Sequence, residues 1–207
     1  MYGEAFRTQV RAGAQSSAAA LVPLLVDTFR PASMIDVGCG EGWWAQAFAN
    51  HGCTAAGVDL GCDNRAGLDR YTTHDLEQPL PDSLGTFDLA LSLEVAEHLT
   101  PGRATTFVAD LCALAPVVVF SAAIPGQRGV GHRNEQYQTY WAHLFDASQF
   151  AVSGSLRTQI WDDTRIDRWY RQNLLVATTR PERYRRLFPD GTPLDLVHPE
   201  IFVEHHR

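Results

Sequence analysis

Apolar stretches along this chain are separated by short polar breaks marked with glycine and proline, so that strand-like and helix-like patterns take turns. Between Ala18 and Phe29, the residues Leu21, Leu24, Leu25 and Val26 give the first helical pattern. Pro23 inside that run predicts a kink or a later start, and Arg30-Pro31 closes it. Met34-Ile35-Asp36-Val37 reads as a buried strand running into Gly38, Gly40 and Gly42, a tight turn that opens a helix over Trp43–His51 stopped by Gly52. A second strand is predicted over Thr54–Leu60 and a third at Tyr71–Thr73, with a short helix or turn at Arg65–Arg70 between them. Phe87–Leu93 is the fourth strand; Val117–Ala122, apolar without alternation, is a strand buried on both faces, and a helix over Arg103–Ala115 separates the two. A helix begins at Tyr137–Phe145, and two last strands over Phe150–Arg157 and Leu174–Thr179 flank an irregular Ile160–Arg171. Strands alternating with helices imply an α/β fold around a largely parallel sheet.

Spacing narrows what the glycine turn can hold. A dinucleotide fingerprint needs its third glycine where this chain has Trp43, and a phosphate loop needs Lys then Ser or Thr where it has Trp43-Trp44. The second strand ends in Asp59, 19 residues beyond Gly40, where a carboxylate can accept hydrogen bonds from both hydroxyls of a ribose lying across the strand ends. An acid followed by Gly-x-Gly-x-Gly, then Asp59, His74-Asp75-Leu76 and the Phe87-Asp88 strand in that order, resembles the class I S-adenosylmethionine-dependent methyltransferases. The resemblance implies a three-layer, Rossmann-like, seven-stranded sheet, mostly parallel, with an antiparallel last strand. The resemblance covers a core at 34–179; the length of 207 residues suits one domain over 1–207, with a helical cover at 1–33 and a tail at 180–207 whose apolar residues are expected to cover the core or form a dimer contact. S-adenosyl-L-methionine is the cofactor so implied, with Asp36 near its ammonium group, Gly38, Gly40 and Gly42 along its backbone, Asp59 on the ribose and Asp75 at the adenine amino group. Leu60, Leu76 and Leu93 complete the implied cofactor-binding set.

Glu94, Glu97 and His98 recur at i, i+3 and i+4, so a helical turn there would bring two carboxylates and an imidazole to one side, a set able to hold Mg²⁺ or a transition metal. This segment is similar to one that ubiquinone-pathway O-methyltransferases and small-RNA terminal 2'-O-methyltransferases use for a metal; many metal-free methyltransferases carry the same string for packing. The polar, glycine-rich loop 124–136 follows a strand end and is the expected acceptor site. Within it His132 is the candidate general base, with Glu97 and His98 as the other catalytic candidates. Alternatively, His132 is a fourth metal ligand, a role that a distant histidine takes in the RNA-terminal enzymes.

A net charge of −7 gives no electrostatic reason to expect a polyanionic partner, so the preferred reading is O-methylation of a small molecule in a secondary-metabolite, sugar or quinone-like pathway. Metal-dependent RNA 2'-O-methylation and a non-catalytic S-adenosylmethionine-binding role are the rivals. With 45% hydrophobic and 20% charged residues the chain has globular rather than disordered composition. Cys39, Cys53, Cys62 and Cys112 lack zinc or disulfide spacing and are expected to be free thiols. The Met1–Arg7 start has no signal-peptide pattern and no apolar run reaches membrane-spanning length, which predicts a cytoplasmic monomer or homodimer.

Overall fold

The computed structural model describes residues 4–61, 63–189 and 191–204. The Met1–Gly3 start, Cys62 and the 205–207 end of the tail lie outside the described residues. Seven strands form one sheet: β1 (Ser33–Val37), β2 (Thr54–Asp59), β3 (Tyr71–Thr73), β4 (Leu89–Leu93), β5 (Val117–Ser121), β6 (Ala151–Ser153) and β7 (Leu175–Thr178). Their order across the sheet is β3-β2-β1-β4-β5-β7-β6. The first five pair in parallel, and β7 runs antiparallel to both β5 and β6. This is the seven-stranded, mostly parallel architecture that the family resemblance implied.

Alternation along each strand divides the core into two layers. On one face Ile35, Val37, Ala90, Val118 and Phe120 meet Phe107 and Leu111 of α3 (Ala104–Leu114) and Trp141 and Phe145 of α4 (Gln138–Ala147). On the other, Met34, Leu89, Leu91 and Val119 meet Leu21 and Leu25 of α1 (Glu4–Phe29) and Trp44 and Phe48 of α2 (Trp43–Asn50). Because both faces are covered, β4 and β5 are buried along their whole length and read as unbroken apolar runs.

Three elements differ from the sequence expectations. The first helix is continuous from Glu4 through Pro23 to Phe29. Ala18, Leu21, Val22, Leu25 and Phe29 are all buried, and packing of that stripe outweighs a proline cost of about 3 kcal/mol in a helix interior. The sixth strand stops at Ser153 instead of reaching Arg157. There the Ser153 hydroxyl accepts the Ser155 amide at 3.1 Å, turning the chain into α5 (Arg157–Ile160). The segment expected to be irregular contains α6 (Arg168–Asn173). Of the tail, Pro193 accepts from the Arg157 guanidinium, Asp195 accepts from Thr139 on α4, and α7 (Pro199–Glu204) packs on α6 through Glu200 and Arg171. No helix among the described residues is long and apolar enough to cross a membrane.

Phe120 is fully buried, with ring centroids 5.2 Å from Trp141 and 5.4 Å from Phe145. Phe120→Ala is expected to cost about 3–5 kcal/mol of stability in denaturant unfolding, because that ring cluster cannot collapse into the cavity. A loss under about 1 kcal/mol would mean that α4 moves freely against the sheet.

Candidate active site

β1 ends in a turn that only glycine can make. Gly38, Gly40 and Gly42 have φ of +84°, +53° and +92°, the left-handed region that penalises any Cβ. A side chain at Gly38 would also start inside Val95, 2.8 Å from its Cγ1, and one at Gly42 would lie 2.9 Å from Leu68 Cδ1. At Gly40 the same direction is open space. The outer two glycines therefore satisfy packing, and the middle one leaves open space. The turn is pinned to β2 by the Gly38 and Cys39 amides, which both donate to the Val58 carbonyl at 2.8 and 3.2 Å. Its outer side is clasped to α1, where Arg11 donates to both Glu41 oxygens at 2.6 and 2.8 Å.

A cleft of about 260 Å³ opens at the carboxyl ends of the strands, lined by Gly38, Asp59, Leu60, Asp75, Leu76 and, from the β4 side, Glu94 and His98. Asp59 accepts the Gly40 amide on Oδ2 and the Gly61 amide on Oδ1, each at 3.0 Å, which fixes the carboxylate and leaves a lone pair on each oxygen. Leu60 beside it is 58% exposed, an apolar surface suited to a flat ring. Asp75 is held by accepting the Glu77 amide, and the Leu76 carbonyl is taken by Arg103, so Leu76 offers the cleft its apolar side. Asp36 is buried with its Oδ2 unpartnered, and burial, then the Asp59 charge, raises its pKa to about 8. Leu93, by contrast, is buried among Leu89, Leu91 and α1 in the core and does not line the cleft.

After β4 the chain makes a short turn at Ala96–His98. Glu97, His98 and His132 converge there, with candidate ligand atoms all within 4.8 Å of one another. Glu94 does not join them. It has φ +55°, and its carboxylate accepts from Asn173 at 3.1 and 3.2 Å and from Gln127 at 3.0 Å. The four-ligand set expected from sequence is therefore three. Glu97 is 1% exposed and, among the described residues, neither carboxylate oxygen has a hydrogen-bond partner. Burial foremost, then the charges of Glu94 and Glu135, push its pKa well up. Glu94 is raised by burial as well, whereas burial and the neighbouring His132 lower His98 and keep its imidazole neutral.

The loop bearing His132 is tied to this turn by the Arg133 and Asn134 amides, which donate to the Glu97 carbonyl at 2.7 and 3.0 Å. Sequence reasoning missed Arg11, Gln127, Glu135 and Asn173. The sequence holds a partial signal for one, since Glu135 follows His132 at i+3; the others reach the site across 30 to 79 residues of chain. A larger groove of about 590 Å³ between Thr28 and the arginines Arg183, Arg185 and Arg186 lies outside this cluster and shares no lining residue with the cleft.

The strand order, the glycine turn after β1 and the acid ending β2 define the Rossmann-like class I methyltransferase architecture. A family model described as a methyltransferase domain matches residues 10–153, and the chain belongs to that family of S-adenosylmethionine-dependent enzymes. No curated protein matches it by sequence. Among solved structures, it is similar to the magnesium protoporphyrin IX methyltransferase of Synechocystis with bound S-adenosylhomocysteine (TM-score 0.62, 21% identity, 86% of this chain and 88% of that one). It is also similar to an amino pentose methyltransferase of calicheamicin biosynthesis from Micromonospora echinaspora with bound S-adenosylmethionine (0.62, 17%, 86% and 98%). A third is the 1,6-didemethyltoxoflavin-N1-methyltransferase of Burkholderia thailandensis (0.58, 22%, 83% and 79%). At these identities the likeness is one of fold.

Gly40→Ala is expected to fold but to lose S-adenosylhomocysteine affinity in calorimetry, whereas Gly38→Ala loses stability as well, through Val95. Equal melting temperatures for the two would contradict the packing role of Gly38. Asp36, Glu94 and Glu97 are all raised by burial, so in the folded chain they hold protons that the unfolded chain releases near pH 4. Stability of the ligand-free protein should therefore fall as pH rises from about 4 through about 8. Asp36→Asn should flatten that fall in urea titrations across the range; an unchanged slope would place Asp36 in a more polar setting.

Proposed function

We propose that the protein transfers the methyl group of S-adenosylmethionine to a hydroxyl of a small molecule. The supporting observation is that His98 lines the same cleft as Gly38 and Asp59 and also belongs to the carboxylate–imidazole cluster with Glu97 and His132. Donor site and proton-accepting groups are thus continuous. In this reading Asp59 takes the ribose hydroxyls, Gly38, Gly40 and Gly42 the backbone approach, Leu60 and Leu76 the adenine faces and Asp75 its amino group. Asp36, with its free Oδ2, faces the ammonium. The cofactor supplies a methyl group made electrophilic by its sulfonium.

The protein's own part is to position and to move a proton. A hydroxyl must lose its proton as it attacks in line, and a neutral imidazole is the group suited to take it near pH 7. His132 is assigned that work, and His98, kept neutral by burial, stands beside it at 4.8 Å between ring centroids. A small acceptor is supported by the neighbours, whose substrates are a porphyrin, a toxoflavin precursor and an amino pentose. It is supported too by electrostatics, since a cleft lined by Asp59 and Asp75 repels the phosphates of RNA.

One observation favours a metal-assisted variant of the same reaction: the two unpartnered, buried oxygens of Glu97 face two imidazoles. With two nitrogen donors in three, the set suits a transition ion better than Mg²⁺, which prefers oxygen. Such an ion would lower the pKa of a bound hydroxyl.

With methyl-labelled S-adenosylmethionine and a panel of alcohols, phenols, amines and RNA, label is expected on a small hydroxyl compound. His132→Ala is expected to lower kcat about 100-fold while leaving S-adenosylhomocysteine affinity intact. Label found only on amines or RNA would overturn the acceptor class; turnover that survives both His132→Ala and a strong chelator would remove both roles of His132.

A further inference from the structure

His132 does not sit in its loop as a free rotor. Its Nδ1 is 2.7 Å from Glu135 Oε1, and Glu135 Oε2 accepts the Gly126 amide at 2.8 Å, so both oxygens of that carboxylate are committed. The loop is a closed ring of contacts, in which Gly126 holds Glu135 and Glu135 holds His132. Its far end is fastened where Arg133 and Asn134 donate to Glu97 and Gln136 donates to the Ala123 carbonyl at 3.2 Å. Two further walls confine the imidazole. His98 meets it edge to face at 85°, and a Cβ on Gly129 would collide with Nε2, Cε1 and Cδ2, so the ring fills space that only glycine leaves open. His132 and Glu135 are 13% and 20% exposed, enough shielding from water to keep a charge-assisted hydrogen bond strong.

We propose that Glu135 is the positioning residue of the acceptor site, holding the His132 imidazole with its proton on Nδ1 so that Nε2 is the accepting nitrogen. An ionised carboxylate can only accept, so the proton shared at 2.7 Å belongs to Nδ1, and the hydrogen bond on one ring nitrogen decides what the other can do. Without Glu135 the neutral ring is free to place its proton on Nε2 and to rotate, and either change removes the lone pair from the acceptor. The residue acts through His132 and does not touch substrate. The inference rests on the reading in which His132 activates the acceptor hydroxyl, although the geometry it describes can be measured without any acceptor.

The test uses ¹⁵N-histidine-labelled protein saturated with S-adenosylhomocysteine, with imidazole tautomers read from long-range ¹H–¹⁵N spectra and the His132 signals identified by their loss in His132→Ala. Wild type should show His132 predominantly as the Nδ1–H form, and in Glu135→Ala the ratio of Nδ1–H to Nε2–H should fall about tenfold or more, the equilibrium weight of one charge-assisted hydrogen bond. Should the alanine variant fail to fold, Glu135→Leu, close in size and without an acceptor, is read in the same way. In transfer to whichever hydroxyl compound takes label, kcat should drop about 10- to 100-fold at unchanged cofactor affinity. An unchanged tautomer ratio, or a wild type that is mainly Nε2–H, overturns the proposal whatever the activity. A shifted ratio together with a fully active His132→Ala would instead leave the positioning intact and defeat the role given to His132 in the reaction.

Discussion

The contact between Val95 and the empty side of Gly38 is the constraint on which the site depends. Because β1 and β4 are adjacent and parallel in the sheet, the loops that follow them leave the same edge side by side. Val95 fills the volume where a side chain at Gly38 would begin. The two loops are thereby locked at backbone-to-side-chain distance, and the cleft over the glycine turn continues directly into the turn bearing Glu97 and His98. Any larger residue at position 38 would separate the loops and with them the cleft over the glycine turn and the turn bearing Glu97 and His98. Gly40 differs: its missing Cβ faces open space, so no neighbour fills that side, and what calls for glycine there is the left-handed backbone at φ +53°.

The same edge of the sheet gathers Asp36, Asp59, Asp75, Glu94 and Glu97, an arrangement that opposes the stability of the empty protein. Burial raises three of these carboxyls, and like charge compounds it for Asp36 beside Asp59 and for Glu97 beside Glu94 and Glu135. The arrangement makes sense if cations enter. A sulfonium and an ammonium group brought to this edge would offset the repulsion, so the energy held in the empty site becomes selectivity for a cationic donor over neutral nucleosides. Asp59 differs from its neighbours because the Gly40 and Gly61 amides already hold it.

Much of this was legible in the sequence, and the boundary of legibility is physical. The strands and helices followed from apolar runs, and the glycine turn with Asp59 from spacing, because each depends on neighbours within a few residues; the seven-stranded sheet and the place of Asp75 came from the family resemblance. Where the expectation failed, a distant partner decided the matter. Glu94 belongs by local spacing with Glu97 and His98, yet Asn173, 79 residues away, holds its carboxylate. Pro23 predicted a kink or a later start, yet the helix begins at Glu4 and runs through it, with Leu21, Val22 and Leu25 held in the core beneath. Leu93 occupies a strand end in the sequence, but the alternation of β4 places it on the buried face with Leu89 and Leu91, and it does not line the cleft. Glu135 was visible as a neighbour of His132 at i+3, but the loop closure that aims it needs Gly126 as well.

Glu94 shows why a residue lost to the cluster is still part of how it works. Its φ of +55° is a strained conformation for a side chain of this size, of the order of 1–3 kcal/mol, and something must overdetermine it. Its amide donates to the Ser121 carbonyl and hydroxyl at 3.0 and 3.1 Å, while its carboxylate is gripped by Asn173 and Gln127. Those amides are in turn fixed from behind: Gln172 donates to Gln127 and Asn173 and accepts the His198 amide at 2.7 Å, and Arg157, fully buried, donates to the Gln172 and Pro193 carbonyls. The tail at Pro193 and His198 therefore buttresses α6, α6 buttresses Glu94, and Glu94 sets the angle at which the chain leaves β4 toward Glu97 and His98. A carboxylate pulled aside in this way stands outside the group of candidate ligand atoms, yet it belongs to the backbone turn from which Glu97 and His98 project.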